Sequence, residues 1–225
     1  MQTVVLSVGG SMINPGEIDL AYVKKFAELL KEKNGKMRIA VVVGGGKNAR
    51  IYAQAVRDLG GNEFYADSAG VLSTRQNAML LIAALGDYSY HQVITDFERV
   101  PETEKILVMG GTIPGITTDG DSALLAELLK ADRLVNLSNV DGIYDKDPRK
   151  HKDAKKYELL SHNELLSIAA QQDERKAGQN FIFDIYACKI IARSNIESHF
   201  VNGKDLDAVE KAIEGKKHNG TVIKS

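Results

Sequence analysis

Three consecutive glycines, Gly44-Gly45-Gly46, are followed at once by Lys47 and, three residues later, by Arg50, in the stretch VVVGGGKNAR (41–50). A short β-branched run closed this way reads as a buried strand that opens onto a helix N-terminus. Unpaired backbone N–H groups and the positive end of a helix dipole attract phosphate there, and glycines let it reach the main chain. Lys47 and Arg50 can add side-chain charge. The same residues also read as a tight strand-to-helix turn whose glycines only supply positive φ.

Two further runs repeat the pattern. Thr3–Val8 ends in Gly9-Gly10-Ser11, and 106–109 is closed by GGTIPGITTD (110–119). The latter loop is rich in groups that can hydrogen-bond phosphate or a base, although it reads equally as a Thr/Gly surface loop. In SNVDGIYDKDP (138–148), Ser138 and Asn139 can bond a base or ribose and Tyr144 offers a ring face; the alternative is a turn followed by an ordinary aromatic. Asp67 stands before an apolar run and is either a helix N-cap or a ligand for a sugar hydroxyl.

These residues need a frame. Apolar spacing predicts helices over 19–33, about 48–59, 71–85 (largely buried), 120–130, from about 162, over 186–193 and over 206–213. Strand signals fall at 3–8, 37–43, 106–109, 133–137, 199–201 and 221–223, with a short buried segment at 181–185. Ser161 and Glu164 have the spacing of a capping box. Alternating strands and helices with short connections predict a parallel sheet covered on both faces.

Bulk properties narrow the function. With 29 Lys+Arg against 30 Asp+Glu over 225 residues, the net charge of -1 gives no global field for nucleic acid or an anionic membrane. Cys188 is the single cysteine, which excludes an intrachain disulfide and a thiolate cluster and fits a reducing compartment; its apolar setting reads as core. None of the five histidines stands in a metal-ligand pattern. No segment has the length of a membrane span and the first residues lack a leader pattern, so a cytoplasmic protein is expected.

Taken in order, VLSVGGS (5–11), VVVGGGKNAR (41–50), the Asp67 loop, GGTIPGITTDGDSALLAELLKAD (110–132), SNVDGIYDKDP (138–148), YACKIIARS (186–194) and HNGTVI (218–223) resemble the amino acid kinase superfamily. The likeness covers nearly the whole chain and is greatest to the archaeal-type uridylate kinases. No GxxxxGK[ST] is present, so the chain does not look like a P-loop kinase.

The resemblance implies an α/β fold, a three-layer αβα sandwich around a mainly parallel sheet. It implies one domain over 1–225, with UMP in the N-terminal half and ATP in the C-terminal half. ATP phosphates are expected at Ser7, Val8, Gly9, Gly10 and Ser11, with Gly46 and Arg50 near the transfer point. Its adenosine is expected at Ser138, Asn139, Tyr144 and Asp147. UMP is expected at Gly45, at Asp67 through its ribose, and at Thr112, Ile113, Pro114, Gly115, Ile116, Thr117 and Thr118. Lys47, Arg50 and Asp119 are the expected catalytic residues, with Mg2+ carried mainly by ATP phosphates and oriented by Asp119. Similar proteins assemble as hexamers. Three departures stand out: Ser7 where bacterial relatives have lysine, Ser138 for the commoner Thr, and Asn195 for a usual Gly.

The expected reaction passes the γ-phosphoryl group of ATP to UMP in pyrimidine nucleotide biosynthesis. Kinases of isopentenyl phosphate or carbamate within the superfamily, and a non-catalytic nucleotide or oxyanion binder on the same scaffold, are the alternatives. The roles of Asp184 and Lys189 are open at this level.

Overall fold

In the computed structural model, which describes residues 1–173 and 183–225, a seven-stranded sheet runs through the molecule. Its strands are β1 (Thr3–Val8), β2 (Arg38–Val43), β3 (Leu107–Met109), β4 (Arg133–Ser138), β5 (Leu159–Leu160), β6 (Glu197–Asn202) and β7 (Thr221–Ile223). The order is β3-β2-β1-β4-β6-β7-β5. All neighbours are parallel except β6 and β7, as expected for strands joined mostly through helices.

Every residue of β1 is buried, because helices cover both faces. Val4, Leu6 and Val8 share a core with Phe26 of α2 (Leu20–Lys33), Leu81 of α4 (Glu63–Leu85) and Val209 of α8 (Leu206–Ile213). Val5, one step out of phase, packs on the other face with Leu125 of α5 (Thr118–Leu128), Leu165 of α6 (His162–Asp173) and Ile190 of α7 (Ile185–Arg193). The period of two along one strand thus builds the three layers. Cys188 lies in this second core.

Several boundaries differ from the sequence expectation. α3 (Gly46–Asp58) begins at the third glycine, two residues early. The helix expected over 71–85, behind an N-cap at Asp67, is the end of α4, which begins at Glu63 under the Asn62 cap. Ser68 does not stop it, since its hydroxyl donates back to the Phe64 carbonyl at 2.7 Å. Asp67 is therefore neither a cap nor a loop residue. Nor is this helix buried all round: Leu72 and Met79 are exposed. A four-residue helix, α1 (Gly10–Ile13), and the two-residue β5 carried no sequence signal.

Ser161 and Glu164 do form the capping box, at 2.7 Å from the Ser161 N–H to Glu164 Oε2. Asn195, where glycine is usual, has φ of 51°, a conformation asparagine tolerates at a helix C-terminus. Of the short segment expected at 181–185, Phe181 and Ile182 lie outside the described residues.

Candidate active site

The register Val8↔Val43 and Val8↔Leu137 brings the carboxyl ends of β1, β2 and β4 to one edge. The chain leaves β1 towards β2 and β3 on one side, then returns to β4 on the other. Ligands in open α/β sheets bind at such a switch point. The two glycine turns meet there without space for a side chain, since a Cβ on Gly10 would lie 2.0 Å from the Gly46 nitrogen. Gly46 itself has φ of 67°.

Two clefts flank this point. The first, about 600 Å³, runs from Gly9 and Ser11 over Asp119 and Asn136 to Ser138, Asn139, Ile143 and Asp147. The second, about 510 Å³, lies between α3 and α4 under the loop that follows β3, and is lined by Gly45, Asp67, Gly115, Ile116, Thr117 and Thr118 among others. Arg50 lines both. Among the described residues it makes no salt bridge, and its exposed side chain stands where the clefts adjoin. Lys47 lines neither; it borders an outer groove beside Asn14 and Pro15 that Arg50 also reaches.

Asp119 sits in the first turn of α5, half-buried at the floor of the first cleft. Its Oδ1 accepts from Ser7 Oγ at 3.1 Å and from Asn136 Nδ2 at 3.2 Å. Burial, then the charge of Asp184, pushes the carboxyl up to about 7 despite those bonds. Ser7 thus serves Asp119, and buried Val8 packs in the core. Asn136 had no sequence signal because its partner arrives from α5.

Asp184 caps α7 by accepting from the Ala187 N–H at 2.8 Å, and its other oxygen accepts from the Thr117 hydroxyl. Thr117 in turn caps α5 through the Gly120 N–H. One carboxylate therefore links the loop of the second cleft to the floor of the first. Asp184 and Asp119 form a two-carboxylate pair, and among the described residues no cluster of three or more His, Cys, Asp or Glu could hold a metal. Such a donor set fits a hard cation that takes its remaining oxygens from phosphate and water.

The other expected ligands divide. Asp67, in the second turn of α4, accepts from the Gly115 N–H at 3.0 Å and fastens the loop over the second cleft. Ser138 holds a local turn through Val140 while lining the first cleft. Asp147 is drawn to Arg149, with Nε to Oδ1 at 3.0 Å, and this hydrogen bond keeps its carboxyl below the usual range. Tyr144 does not line the cleft; its hydroxyl donates to Asp141, and burial pushes it up to about 12. Thr112, Ile113 and Pro114 stand outside the lining of the second cleft, with Ile113 exposed.

The family model described as amino acid kinase family matches residues 2–202. The uridylate kinase of Thermococcus kodakarensis is 45% identical over 223 residues, 98% of each chain. That of Methanocaldococcus jannaschii is 44% identical over 227 residues, again 98% of each. The crystal structure of uridylate kinase from Archaeoglobus fulgidus superposes with a TM-score of 0.86 at 39% identity, covering 99% of this chain and 100% of that one. Matched along nearly its full length in sequence and in fold, the chain belongs to the amino acid kinase family and, within it, to the archaeal uridylate kinases.

Proposed function

We propose that this protein is a UMP kinase: a UMP phosphate oxygen attacks the γ-phosphorus of ATP, an O–P bond forms, the β–γ bridge breaks, and UDP and ADP leave. The observation that carries this reading is Arg50, the residue common to two adjoining nucleotide-sized clefts. In it, residues 1–225 act as one domain, with UMP in the cleft between α3 and α4 and ATP in the cleft at the end of β4.

The attacking phosphate is already ionised at neutral pH, so the protein needs no general base. Its task is to bring two anions together. Two unit charges about 4 Å apart repel by roughly 4 kcal/mol at an effective dielectric of 20, and each repulsion cancelled is worth powers of ten in rate. Arg50 supplies fixed charge at the junction, Lys47 adds field from one turn earlier on α3, and the main chain at Gly45 and Gly46 opens the α3 N-terminus to phosphate. Asp67 holds the acceptor ribose and the 110–118 loop covers the acceptor. Ser138, Asn139 and Asp147 receive the adenosine. Mg2+, when bound, neutralises charge on the ATP phosphates, and Asp119 with Asp184 would orient it.

Incubation with Mg-ATP and a panel of acceptors tests the assignment. Turnover of UMP and not of isopentenyl phosphate or carbamate is expected. Preference for either of those would replace the reading with another kinase of the family, and tight UMP binding without turnover would make the protein a binder. We place this work in the cytoplasm, where both nucleotides are used; recovery in a membrane fraction would contradict it.

A homo-oligomer, a hexamer, belongs to the same proposal. Ile51, Tyr52 and Leu59 of the α3 segment and Phe64, Tyr65, Leu72 and Met79 of α4 are all more than half exposed. Apolar side chains grouped on two adjoining helices mark an association surface. Light scattering is expected to give the mass of six copies of a 24.6 kDa chain, and a monomer would refute it.

A further inference from the structure

Thr112 has no hydrogen-bond donor left for a ligand. Its N–H donates to Asp121 Oδ2 at 3.1 Å and its hydroxyl to Asp121 Oδ1 at 2.7 Å. Its carbonyl accepts from Arg75 Nη2 at 2.8 Å, and the neighbouring Gly111 carbonyl accepts from Arg75 Nε at 3.0 Å. The Gly111 N–H donates to Thr74 Oγ1 at 2.6 Å. Two successive peptide units are thus gripped from α4 by a guanidinium fork and from α5 by a fully buried carboxylate.

The grip has a built setting. A Cβ on Gly110 would fall 2.7 Å from Arg75 Cγ and 2.9 Å from its Cα, so this backbone must lie flat on α4. Gly111 and Thr74 line the second cleft, whereas Thr112 does not. The wall facing an acceptor is therefore placed by residues that stand behind it.

We propose that Asp121 and Arg75 are positioning residues for the nucleoside monophosphate site: they fix the Gly111–Thr112 wall, and Thr112 acts through that wall and not as a donor to the base. This rests on the UMP kinase reading. A buried carboxylate whose two partners both come from one residue serves that residue's placement, and an Arg fork holding two successive carbonyls sets the tilt of the peptide between them. The donor cleft shares neither side chain.

Steady-state kinetics with each substrate varied in turn tests the inference on Asp121→Ala, Asp121→Asn, Arg75→Ala and Arg75→Lys. Asp121→Ala is expected to raise the KM for UMP about tenfold, roughly 1.4 kcal/mol of acceptor affinity, and to leave the KM for ATP within about twofold. Asp121→Asn keeps one acceptor oxygen and the volume, so it is expected to recover most of the loss. Arg75→Lys, with a point charge in place of a fork, is expected to fall between Arg75→Ala and the parent. Arg75 is only half-buried, so its variants remain informative if Asp121→Ala does not fold. An unchanged KM for UMP in the Asp121 and Arg75 alanine variants, or equal rises in both KM values, would overturn the inference while leaving the parent's turnover of UMP intact. A parent that does not turn over UMP would remove the functional reading, and this inference with it.

Discussion

Asp119 is ionised only at a cost. Burial and the Asp184 charge lift its pKa from 3.8 to about 7, so the folded protein holds a proton that the unfolded chain releases. Its contribution to stability is complete below about pH 4 and is lost as pH rises through about 7. In the magnesium- and nucleotide-free protein, Asp119→Asn is expected to raise the melting temperature at pH 8 by at least roughly 2 °C, to change it little at pH 4, and to abolish UMP phosphorylation. A melting temperature at pH 8 equal to the parent's would contradict the account of this carboxyl. Arg50 was legible in the sequence because its neighbours, three glycines and a lysine, are local. Asn136, Arg75 and Asp121 were not: the two carbonyls that Arg75 holds stand 36 and 37 residues away, and only the sheet brings them together. Thr112 drew attention as a ligand by its place in a motif, while its bonding partners are visible only in the fold.

At the scale of elements, strands were easier to read than helix starts. β1 and β2 are short, mostly apolar runs closed by glycine, a pattern fixed by burial on both faces. α4 starts eight residues before the expected position because Asn62 supplies the cap, and the polar Asp67-Ser68 pair is accommodated inside the helix. The antiparallel pairing of β6 and β7 joins two histidines that the sequence keeps apart. His218 Nδ1 accepts from the Gly220 N–H at 3.0 Å, which leaves Nε2–H to donate to His199 Nδ1 at 2.7 Å; His199 Nε2–H then donates to Glu197 at 2.8 Å. Burial, with the charges of His199 and Lys156, lowers His218 from 6.5 to about 4; burial, with Arg133 and Lys224, lowers His199, against the pull of Glu197. A depressed histidine contributes stability that is whole above pH 6.5 and is lost as pH falls towards 4. His218→Gln is therefore expected to flatten the fall in melting temperature between pH 6.5 and 4. An unchanged acid slope would show that this pair does not govern it.

At the scale of the whole molecule, two adjoining clefts open at the switch point of the sheet. Helices α3 and α4 with the loop after β3 build one cleft, the turns after β1 and β4 with the start of α5 build the other, and Arg50 stands at their common boundary. The order of motifs in the chain made the fold and the family legible; the division of labour between Lys47, in an outer groove, and Arg50, at the junction, needed three dimensions. The most direct test is a crystal structure of the chain with UMP, Mg2+ and a non-hydrolysable ATP analogue. The UMP phosphate is expected within hydrogen-bond distance of Arg50, about 3 Å, with its ribose at Asp67 and the γ-phosphate entering from the Ser138 side. UMP seated in the cleft of Ser138 and Asn139, or phosphates that meet out of reach of Arg50, would contradict the account.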